Sequence, residues 1–304
     1  MGTQAIVNAG QTIKDHLRAA IQLLSGEVAR EMIYGHVGWK QIDGEMIYLH
    51  GGGGIGKNGS IPNLAVSLGQ GRMTEYILPD PPTGDQLRDA IRASLQFLDL
   101  APPRITFPLL AGIYRAPVGE IMPVDFSIFI AGFTGTQKSD LSAQAQAHYG
   151  SGFHGKNLPG NWTGTANALE KQAFIAKDAI ITIDDFIPMG TEIQAMHAKA
   201  ERLLRGQGNL TGRSRMKADG SLRQEYFPRG LILTSGEDIP QGHSLRGRMM
   251  ILEISPGMVN LDKLTQVQRA AADGLLASAM SAYLKWLIRD FDQIKKDIPN
   301  IWQF

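Results

Sequence analysis

The stretch Val124–Ser139, VDFSIFIAGFTGTQKS, decides the fold. Its first half is mostly apolar and follows Pro123, which is typical of a strand buried on both faces of a parallel sheet. From Ser139 onward, SDLSAQAQAHYG is rich in helix-forming residues and ends at Gly150, which favours a helix with a glycine cap. The glycine, lysine and serine of GFTGTQKS have the spacing of a phosphate-binding loop, so the sequence predicts strand, phosphate loop and helix in that order.

In such a loop, free backbone N–H groups at the start of the helix hold phosphate. The nucleotide contacts are predicted at Gly132, Thr134, Gly135, Thr136, Gln137, Lys138, Ser139 and Asp140. Lys138 is expected to reach the terminal phosphates and Ser139 to ligate magnesium, so ATP and Mg²⁺ are the expected ligands. Gln137 departs from the motif, because glycine usually stands there and allows close backbone approach.

A second strand, AIITIDD, ends in two adjacent carboxylates. Asp184 is predicted to hold the metal and Asp185 to be the catalytic base. A lone aspartate there would be an ordinary helix N-cap, but two after an apolar run favour the catalytic interpretation. The gap from Lys138 is long enough for a helix, a strand and a further helix at Thr165–Lys177. An extra strand between the two motif strands is typical of the P-loop branch that includes the AAA+ ATPases.

Two further segments resemble the remaining parts of such a site. The apolar strand Gly230–Leu233 ends in TSGED, where Thr234, ahead of Ser235, is predicted to position the attacking water. Arg246 and Arg248 precede a final strand, Met249–Ile254. In a monomer they would be surface arginines, whereas in a ring one of them would reach the neighbour's γ-phosphate as an arginine finger.

An earlier glycine run, HGGGGIGKNGS, also fits a phosphate loop over Gly51–Lys57, but Asn58 replaces the magnesium-binding Ser or Thr. Glycines and proline in the following NGSIPNLAVSLGQG prevent a helix from starting there. Before it, Asp43-Gly44 lies between two alternating runs. We therefore expect a β-hairpin feeding a flexible structural or connecting loop, with a ligand or partner contact as the alternative.

A basic segment separates the paired acids from the next strand. Residues 205–229 carry six basic side chains against two acidic ones, with a hairpin signal at Asp219-Gly220. The nucleic-acid contacts are predicted at Arg213, Arg215, Lys217 and Arg223. A solvated charged hairpin is the alternative. One such finger would bind few phosphates, so a DNA-binding role also predicts an oligomer.

Composition sets the outer limits. The chain has 304 residues, 43% of them hydrophobic, with a formal net charge of +1 and no cysteine. These values exclude disulfides and a cysteine nucleophile and leave charge preferences to local patches. Seven histidines lie outside metal-binding spacings. With no signal-peptide pattern and no long apolar run, we expect a cytoplasmic protein without a membrane partner.

Taken together, the segments resemble an uncharacterised AAA+ ATPase family of phage, plasmid and integrative elements, often linked to primases and similar to superfamily-three-like helicases. The segments that carry the resemblance are, in order, GWKQIDGEMIYLHGGGGIG, LLAGIYRAP, GFTGTQKS, WTGTANALE, AIITIDDF, RGQGNLTGRSR, PRGLILTSGED and SLRGRMMILEI. The resemblance implies a hexameric ring that hydrolyses ATP and moves along single-stranded or forked DNA, with a primase as a partner. It also implies that the basic hairpin grips DNA and that Arg246 or Arg248 is the finger.

The expected fold class is α/β, a P-loop AAA+ core with a parallel sheet. A smaller α+β domain precedes the core and a helical segment follows it. The boundaries are placed at 1–120, 121–262, with the basic hairpin at about 208–228, and 263–304. Helices are predicted at Ile13–Leu24, Asp85–Leu98 and Thr265–Ile298, the last with a break at Gly274, and strands between Met32 and Leu78.

Three functions fit these observations. The first is a ring-forming DNA motor, a helicase acting in replication of a mobile element. The second is an AAA+ ATPase that remodels protein partners or loads another helicase, in which case its hairpin would touch protein. The third is a nucleotide-binding assembly module with little hydrolysis, which Gln137 motivates.

Overall fold

A computed structural model of the chain describes residues 12–25, 32–212, 216, 220–222 and 224–301. The chain divides into two compact units, Met1–Met32 and Ile33–Phe304. The first unit contains α1 (Ile13–Leu24), as predicted. Its Ile21 and Leu24 are exposed. The predicted domain boundaries after residues 120 and 262 both fall inside the second unit and stay predictions.

The second unit begins with short strands. They are β1 (Ile33–Tyr34), β2 (Gly38–Ile42), β3 (Glu45–His50), β4 (Gly53–Gly56), β5 (Gly59–Ile61) and β6 (Ala65–Val66). Strands β2 to β5 form an antiparallel sheet in chain order, and β1 pairs with β6. Asp43 and Gly44 join β2 to β3 with φ angles of 50° and 86°. This is the two-residue hairpin that the sequence predicts, in the left-handed conformation that Asp-Gly favours.

Much of the glycine run is a strand and not the flexible loop expected from the sequence. Gly51 and Gly52 form a turn, and Gly53–Gly56 form β4, which pairs with β3 and β5. A Cβ on Gly53 would lie 2.4 Å from the Ile61 carbonyl oxygen, and one on Gly54 would lie 2.6 Å from Ile47 Cγ2. The glycines therefore let neighbouring strands of the sheet approach each other closely. This is a structural role and not phosphate binding.

Two helices lead from this sheet to the core. Helix α2 (Gly84–Leu95) continues as a 3₁₀ turn at Gln96–Asp99, so the predicted helix at Asp85–Leu98 is confirmed. Helix α3 (Pro103–Arg115) follows, with Pro at its start. Proline is tolerated there because the first helical N–H has no intrahelical partner. The α3 residues Ile105, Leu109 and Ile113 are buried in the core.

The core is a parallel sheet with helical connections. Its elements are β7 (Ser127–Ala131), α4 (Lys138–Gln146), β8 (Gly160–Asn161), α5 (Ala166–Ile175), β9 (Ile180–Phe186), α6 (Ile193–Asn209), β10 (Leu231–Gly236), α7 (His243–Arg246) and β11 (Met249–Glu253). The strand order is β11-β7-β10-β9-β8, and all neighbours are parallel. The predicted helix at Thr165–Lys177 is α5, with Thr165 as its N-cap.

Strand β10 lies between the phosphate-loop strand β7 and the acid-bearing strand β9. The chain reaches β9 through α4, β8 and α5, so the helix–strand–helix connection predicted from the sequence is present. Because all strands are parallel, their carboxyl ends meet at one edge of the sheet. The loop after β7, the acids of β9 and the end of β10 therefore lie together, at the edge where open α/β sheets bind ligands.

The free edge of β9 is closed by a side chain. Strand β8 covers only Ile183 and Asp184. Beyond it, Gln146 Oε1 accepts from the Thr182 N–H at 2.9 Å, and Gln146 Nε2 donates to the Ile180 carbonyl at 3.3 Å. Gln146 thus supplies the donor and acceptor that a neighbouring strand would otherwise provide, and it fixes α4 against β9.

The basic segment is described only in part. Met216 and Leu222 form an isolated antiparallel bridge, and Gly220 has a φ of 80°. Both features agree with a reversal of the chain near the predicted turn. Arg213, Arg215, Lys217 and Arg223, the predicted nucleic-acid contacts, lie outside the described residues.

The chain continues in α8 (Leu261–Ala272), α9 (Leu275–Arg289) and α10 (Phe291–Ile301). Gly274, with a φ of 80°, separates the first two, so the predicted break is confirmed. Leu276, Met280, Leu284 and Leu287 of α9 are buried, as their apolar spacing predicts. Within the part of the chain that the structure describes, no helix has the length and apolar character needed to cross a membrane.

Candidate nucleotide site

The phosphate loop leaves β7 at Gly132. A Cβ at this position would lie 2.4 Å from the Ile254 carbonyl oxygen, so only glycine fits between the loop and the chain after β11. The Gly132 N–H donates to the Gly236 carbonyl at 3.1 Å, which joins the loop to the end of β10. Gly132 therefore positions the loop, although it does not line the cavity beside it.

Gln137 ends the loop in the left-handed conformation, with φ 60° and ψ 27°. Such a backbone costs a non-glycine residue roughly 1–2 kcal/mol. Gln137 thus stands where the motif has glycine, and it adopts the left-handed backbone conformation that favours glycine. The loop geometry survives the substitution, at the expense of local strain.

Lys138 begins α4, and its side chain lies back against the loop. Its Nζ donates to the Phe133 carbonyl at 2.8 Å and lies 3.4 Å from Thr136 Oγ1. Burial lowers the pKa of Lys138 below its usual range, while Glu237 and the paired aspartates oppose that shift. The ammonium group is therefore held among carbonyl, hydroxyl and carboxylate oxygens inside the site.

A β-bulge places the two predicted acids. Thr234 pairs with Ile183 and Gly236 with Phe186, so Asp184 and Asp185 together face the single residue Ser235. Asp185 has a φ of 72°, the left-handed conformation. In a regular strand, neighbouring side chains would point to opposite faces, whereas a bulge re-aims one of them. Both carboxylates are thereby kept at the same end of the sheet.

The two acids have different environments. Asp184 is buried and accepts a hydrogen bond from Ser235 Oγ. Asp185 is exposed at the cavity. Partial burial raises the pKa of Asp185, and the negative charges of Asp184 and Glu237 raise it further, while Lys138 lowers it. One acid is therefore fixed by a hydroxyl donor, and the other is directed toward solvent with an elevated proton affinity.

Thr234, the residue predicted to position water, does not reach the cavity. It is fully buried; its hydroxyl donates to the Ile183 carbonyl at 2.7 Å and accepts from Trp162 Nε1 at 2.7 Å. Alternation along β10 turns Thr234 into the core and its neighbour Ser235 toward the acids. Of the two candidates, Ser235 therefore occupies the polar position at the strand end, and the water-positioning role of Thr234 stays a prediction.

Glu237 is a site residue that the sequence interpretation missed. Thr134 Oγ1 donates to Glu237 Oε1, and the Glu237 N–H donates to the Phe186 carbonyl at 3.1 Å. The open cavity beside the loop measures about 280 Å³. It is lined by Thr134, Gly135, Thr136, Gln137, Lys138, Ser139, Asp140, Asp185, Ile187, Ser235, Gly236 and Glu237. A polar run after an apolar strand, TSGED, was the available signal.

Asp140 connects the site to the C-terminal helices. Gln268 of α8 donates from Nε2 to Asp140 Oδ1 at 3.2 Å. Burial raises the pKa of Asp140, and the charge of Asp184 raises it further. Helix α8 therefore touches the rim of the cavity through one hydrogen bond, a contact between positions 128 residues apart.

The two candidate finger arginines differ in their contacts. Arg248 donates to the Ser244 carbonyl and hydroxyl, both at 2.7 Å, and to Asn209 Oδ1 at 3.0 Å. The Arg246 side chain is exposed and has no hydrogen bond or ion pair with the described part of the chain. Neither residue lines the cavity of its own chain. Arg248 thus stabilises α7 against α6, and Arg246 is available to another molecule.

The residues present fit a magnesium nucleotide. Ser139 and Asp184 offer hydroxyl and carboxylate oxygens, the donors that Mg²⁺ prefers, and substrate phosphates and water complete its shell in such sites. Gly135 has a φ of 84° and open space around its Cβ position, so phosphate oxygens have access to the loop backbone. Lys138 supplies the positive charge.

Sheet order, loop and paired acids together define a P-loop AAA+ core, preceded by a smaller α+β region and followed by helices. No family model and no curated protein matches the chain. Among solved structures, the SCCmec type IV active helicase Cch is similar over 95% of this chain, with a TM-score of 0.55 and 17% identity. This chain spans 53% of that one, about half its length. The fold is therefore helicase-like.

Two further solved structures share less of the geometry. The JCV helicase has a TM-score of 0.39 and 12% identity, over 70% of this chain and 60% of that one. The C-terminal region of NrS-1 has a TM-score of 0.37 and 9% identity, over 90% of this chain and 62% of that one.

Proposed function

We propose that the chain hydrolyses ATP and, assembled into a ring, moves along DNA as a helicase. The β9 bulge carries this proposal, because it brings a buried, hydroxyl-bound carboxylate and a solvent-facing one to the end of the phosphate loop. A single structural aspartate needs no such arrangement. Strain in the backbone at a bulge is typical of sites where a side chain is re-aimed for chemistry.

In this proposal the nucleotide phosphates lie along the Gly135–Ser139 backbone, and Lys138 turns from the Phe133 carbonyl to the terminal phosphate. A bound Mg²⁺, held by Ser139 and Asp184, would neutralise phosphate charge. Asp185 accepts the proton of the attacking water, a role that its raised pKa suits. Ser235 orients Asp184, and Glu237 together with Thr134 fixes the loop near the reacting end.

The charge of the cavity supports assembly into a ring. Asp140, Asp185 and Glu237 line it with Lys138 as the one cation among its described lining residues. A highly anionic substrate is poorly stabilised by such a set, so further positive charge is needed in the transition state. Arg246 of a neighbouring copy supplies it in our proposal, since it is exposed and uncommitted. An arginine from another subunit contributes about 10³–10⁵ to turnover in comparable enzymes.

DNA is proposed as the track for two reasons. The segment 205–229 has six basic residues against two acidic ones, and the chain reverses near its middle. A helicase, Cch, has the same fold. The resemblance in sequence extends the proposal to replication of a mobile element, with a primase as partner, a hexameric ring and a cytoplasmic location.

The domain roles remain part of the proposal. Residues 1–120 would form a collar or oligomerisation region, 121–262 the ATPase core, and 263–304 a lid that reports on the nucleotide through Gln268 and Asp140. The hydrogen bond between these two residues supports the lid role.

ATP hydrolysis by the purified protein, with and without single-stranded DNA, tests the proposal. Lys138→Ala and Asp185→Asn should each lose turnover, whereas Lys171→Ala, in an exposed lysine that does not line the cavity, should retain it. Turnover that rises with DNA supports the motor. Turnover indifferent to DNA favours remodelling of protein partners or loading of another helicase, and nucleotide binding without turnover favours an assembly module.

A further inference from the structure

A second, larger cavity opens where the strands of the parallel sheet begin, at the end opposite the nucleotide cavity. It is a groove of about 860 Å³, against about 280 Å³ for the nucleotide cavity. Lys177 and Arg229 form its floor, shortly before β9 and β10 begin. Its walls are the β2–β3 hairpin and the junction of α9 with α10. A ligand in this groove would not compete with one bound at the carboxyl ends of the strands.

The groove concentrates positive charge. Seven Lys and Arg side chains line it against four carboxylates, in a chain that has 30 basic and 29 acidic residues altogether. The exposed cations are Lys40, Lys57, Arg289, Lys295 and Lys296. The surplus is therefore local, and the rest of the chain is slightly acidic. A cleft with a surplus of positive charge attracts anionic ligands, even with exposed Glu45, Asp290 and Asp292 among its lining residues.

The two floor cations are fixed by protein contacts. Lys177 Nζ donates to Glu120 Oε2 at 2.6 Å and to the Trp39 carbonyl at 3.0 Å, and it also pairs with Asp178. The Arg229 guanidinium lies 3.5 Å from the centre of the Phe174 ring, and burial lowers its pKa to about 10. Glu120, one of the four lining carboxylates, is thus already neutralised.

The five exposed cations, in contrast, form no ion pair with any residue that the structure describes. They come from separate elements. Lys40 lies on β2, Lys57 in the β4–β5 turn, Arg289 at the end of α9, and Lys295 and Lys296 in α10. Like charges held around one opening repel each other, and an extended anion along the groove would relieve that repulsion.

We propose that this groove binds the sugar-phosphate backbone of a single-stranded nucleic acid. The cations come from both walls and from several elements, as an extended chain of phosphates requires. The aromatic rings nearby, Trp39 and Phe291, are 2% and 4% exposed, so bases have no platform for stacking. Recognition would therefore be independent of sequence. The identity of the anion rests on the proposed DNA motor, but the charge of the groove does not.

Fluorescence anisotropy of a labelled oligo-thymidylate, measured with the full chain over a range of salt concentrations, tests this proposal. Two charge-reversal variants address the two walls, Lys40→Glu/Lys57→Glu and Lys295→Glu/Lys296→Glu. The matched control, Arg104→Glu/Lys171→Glu, makes the same change in net charge at exposed positions outside the groove. Circular dichroism of each variant verifies folding.

We expect each wall variant to bind the oligonucleotide at least tenfold more weakly. The slope of log affinity against log salt concentration should become shallower by about 0.7 for each phosphate that the variant no longer neutralises. The control should bind within about twofold of the unmodified chain. DNA-independent ATP hydrolysis should persist in the wall variants, because the nucleotide cavity is at the other edge of the sheet. Loss of DNA binding with retained hydrolysis thus separates this inference from the proposed function.

Wall variants that bind oligonucleotide like the control would overturn the proposal. A second titration uses tripolyphosphate as competitor. One outcome is that tripolyphosphate fails to displace the oligonucleotide and yet binds, by calorimetry, to the unmodified chain but not to the wall variants. In that case the groove takes a small phosphate compound and not nucleic acid. An unmodified chain that fails to bind the oligonucleotide also refutes the inference, whatever its ATPase activity.

Discussion

Ser235 on β10 stands opposite Asp184 on β9, and its hydroxyl donates a hydrogen bond to the Asp184 carboxylate. The neighbouring Thr234 uses its hydroxyl elsewhere, between Trp162 and the backbone of β9. Two adjacent hydroxyl residues thus serve two purposes. One orients a proposed metal ligand and the other stabilises the core, so their substitutions should have separable effects.

Ser235→Ala removes the hydroxyl that orients Asp184. We expect the Mg²⁺ concentration for half-maximal ATP hydrolysis to rise by about tenfold, since loss of a partner of a metal ligand typically costs 10- to 100-fold in affinity. Thr234→Val should instead lower the unfolding temperature and leave the Mg²⁺ requirement unchanged. Magnesium titrations and thermal melts of both variants distinguish the roles. Loss of ATP turnover at saturating Mg²⁺ in a folded Thr234→Val variant would restore Thr234 as the residue that positions water.

Gln137→Gly should retain ATP hydrolysis and raise the free energy of unfolding by up to about 1.5 kcal/mol. The glycine relieves a left-handed backbone that costs roughly 1–2 kcal/mol, offset by about 0.5–1 kcal/mol of chain entropy. Gln137→Val should destabilise, because a β-branched residue tolerates this conformation least. Urea unfolding provides the measurement. Gln86→Gly, at an exposed position of helix α2, is the control and should have the opposite sign.

Glu237→Gln should shift both the acid and the alkaline limb of the kcat/KM profile for ATP to lower pH. Glu237 raises the pKa values of Asp185 and Lys138. Without its charge, Asp185 loses its proton at lower pH, so the base becomes active earlier. Lys138 also becomes neutral at lower pH, so the alkaline decline begins sooner. Steady-state rates across the pH range check both shifts, and limbs that stay in place would mean that Glu237 is electrostatically remote from the two groups.

Arg246→Ala should reduce ATP turnover by about 10³-fold or more without weakening the fold, whereas Arg248→Ala should mainly destabilise the chain. The reason is that the Arg248 side chain donates hydrogen bonds to Ser244 and Asn209. Mixing Arg246→Ala with Lys138→Ala subunits gives a further check. Some interfaces in the mixture combine an intact arginine with an intact loop, so partial recovery of turnover is expected. Mixtures as inactive as their parts would contradict a role of Arg246 across the subunit interface.

His148→Gln should flatten the acid branch of the stability profile. Burial lowers the pKa of His148 to about 4. Between the ordinary histidine value near 6.5 and 4, the unfolded chain binds a proton that the folded chain does not, so stability falls with falling pH. The slope from one such residue is about 1.4 kcal/mol per pH unit. Urea unfolding at several pH values should show that loss, and His154→Gln, at an exposed position, should not change the slope.

Much of the core could be predicted from the sequence because its signals are local. The apolar strand, the loop and the helix around Lys138 are contiguous, and the hairpin at Asp43-Gly44 depends on two residues with left-handed backbone. The same holds for the helix break at Gly274. In each case the residues that determine the structure are neighbours in the chain.

Features that depend on the register between strands far apart in the sequence could not be predicted from such local signals. The bulge that turns Ser235 toward Asp184 joins positions 51 residues apart, and nothing in TSGED distinguishes Ser235 from Thr234. The contact of Gln268 with Asp140 spans 128 residues. The glycine strand was mistaken for a loop because low strand propensity was overridden by pairing on both sides.

The amide of Gln146 has a consequence beyond positioning helix α4. A half-covered strand offers unpaired peptide groups that can recruit a strand from another molecule. On β9, the Gln146 amide and the Tyr76 hydroxyl occupy those groups at Thr182 and Ile180. The strand that carries the paired acids is thereby shielded from intermolecular β-pairing, and copies of the chain can crowd together without their sheets merging.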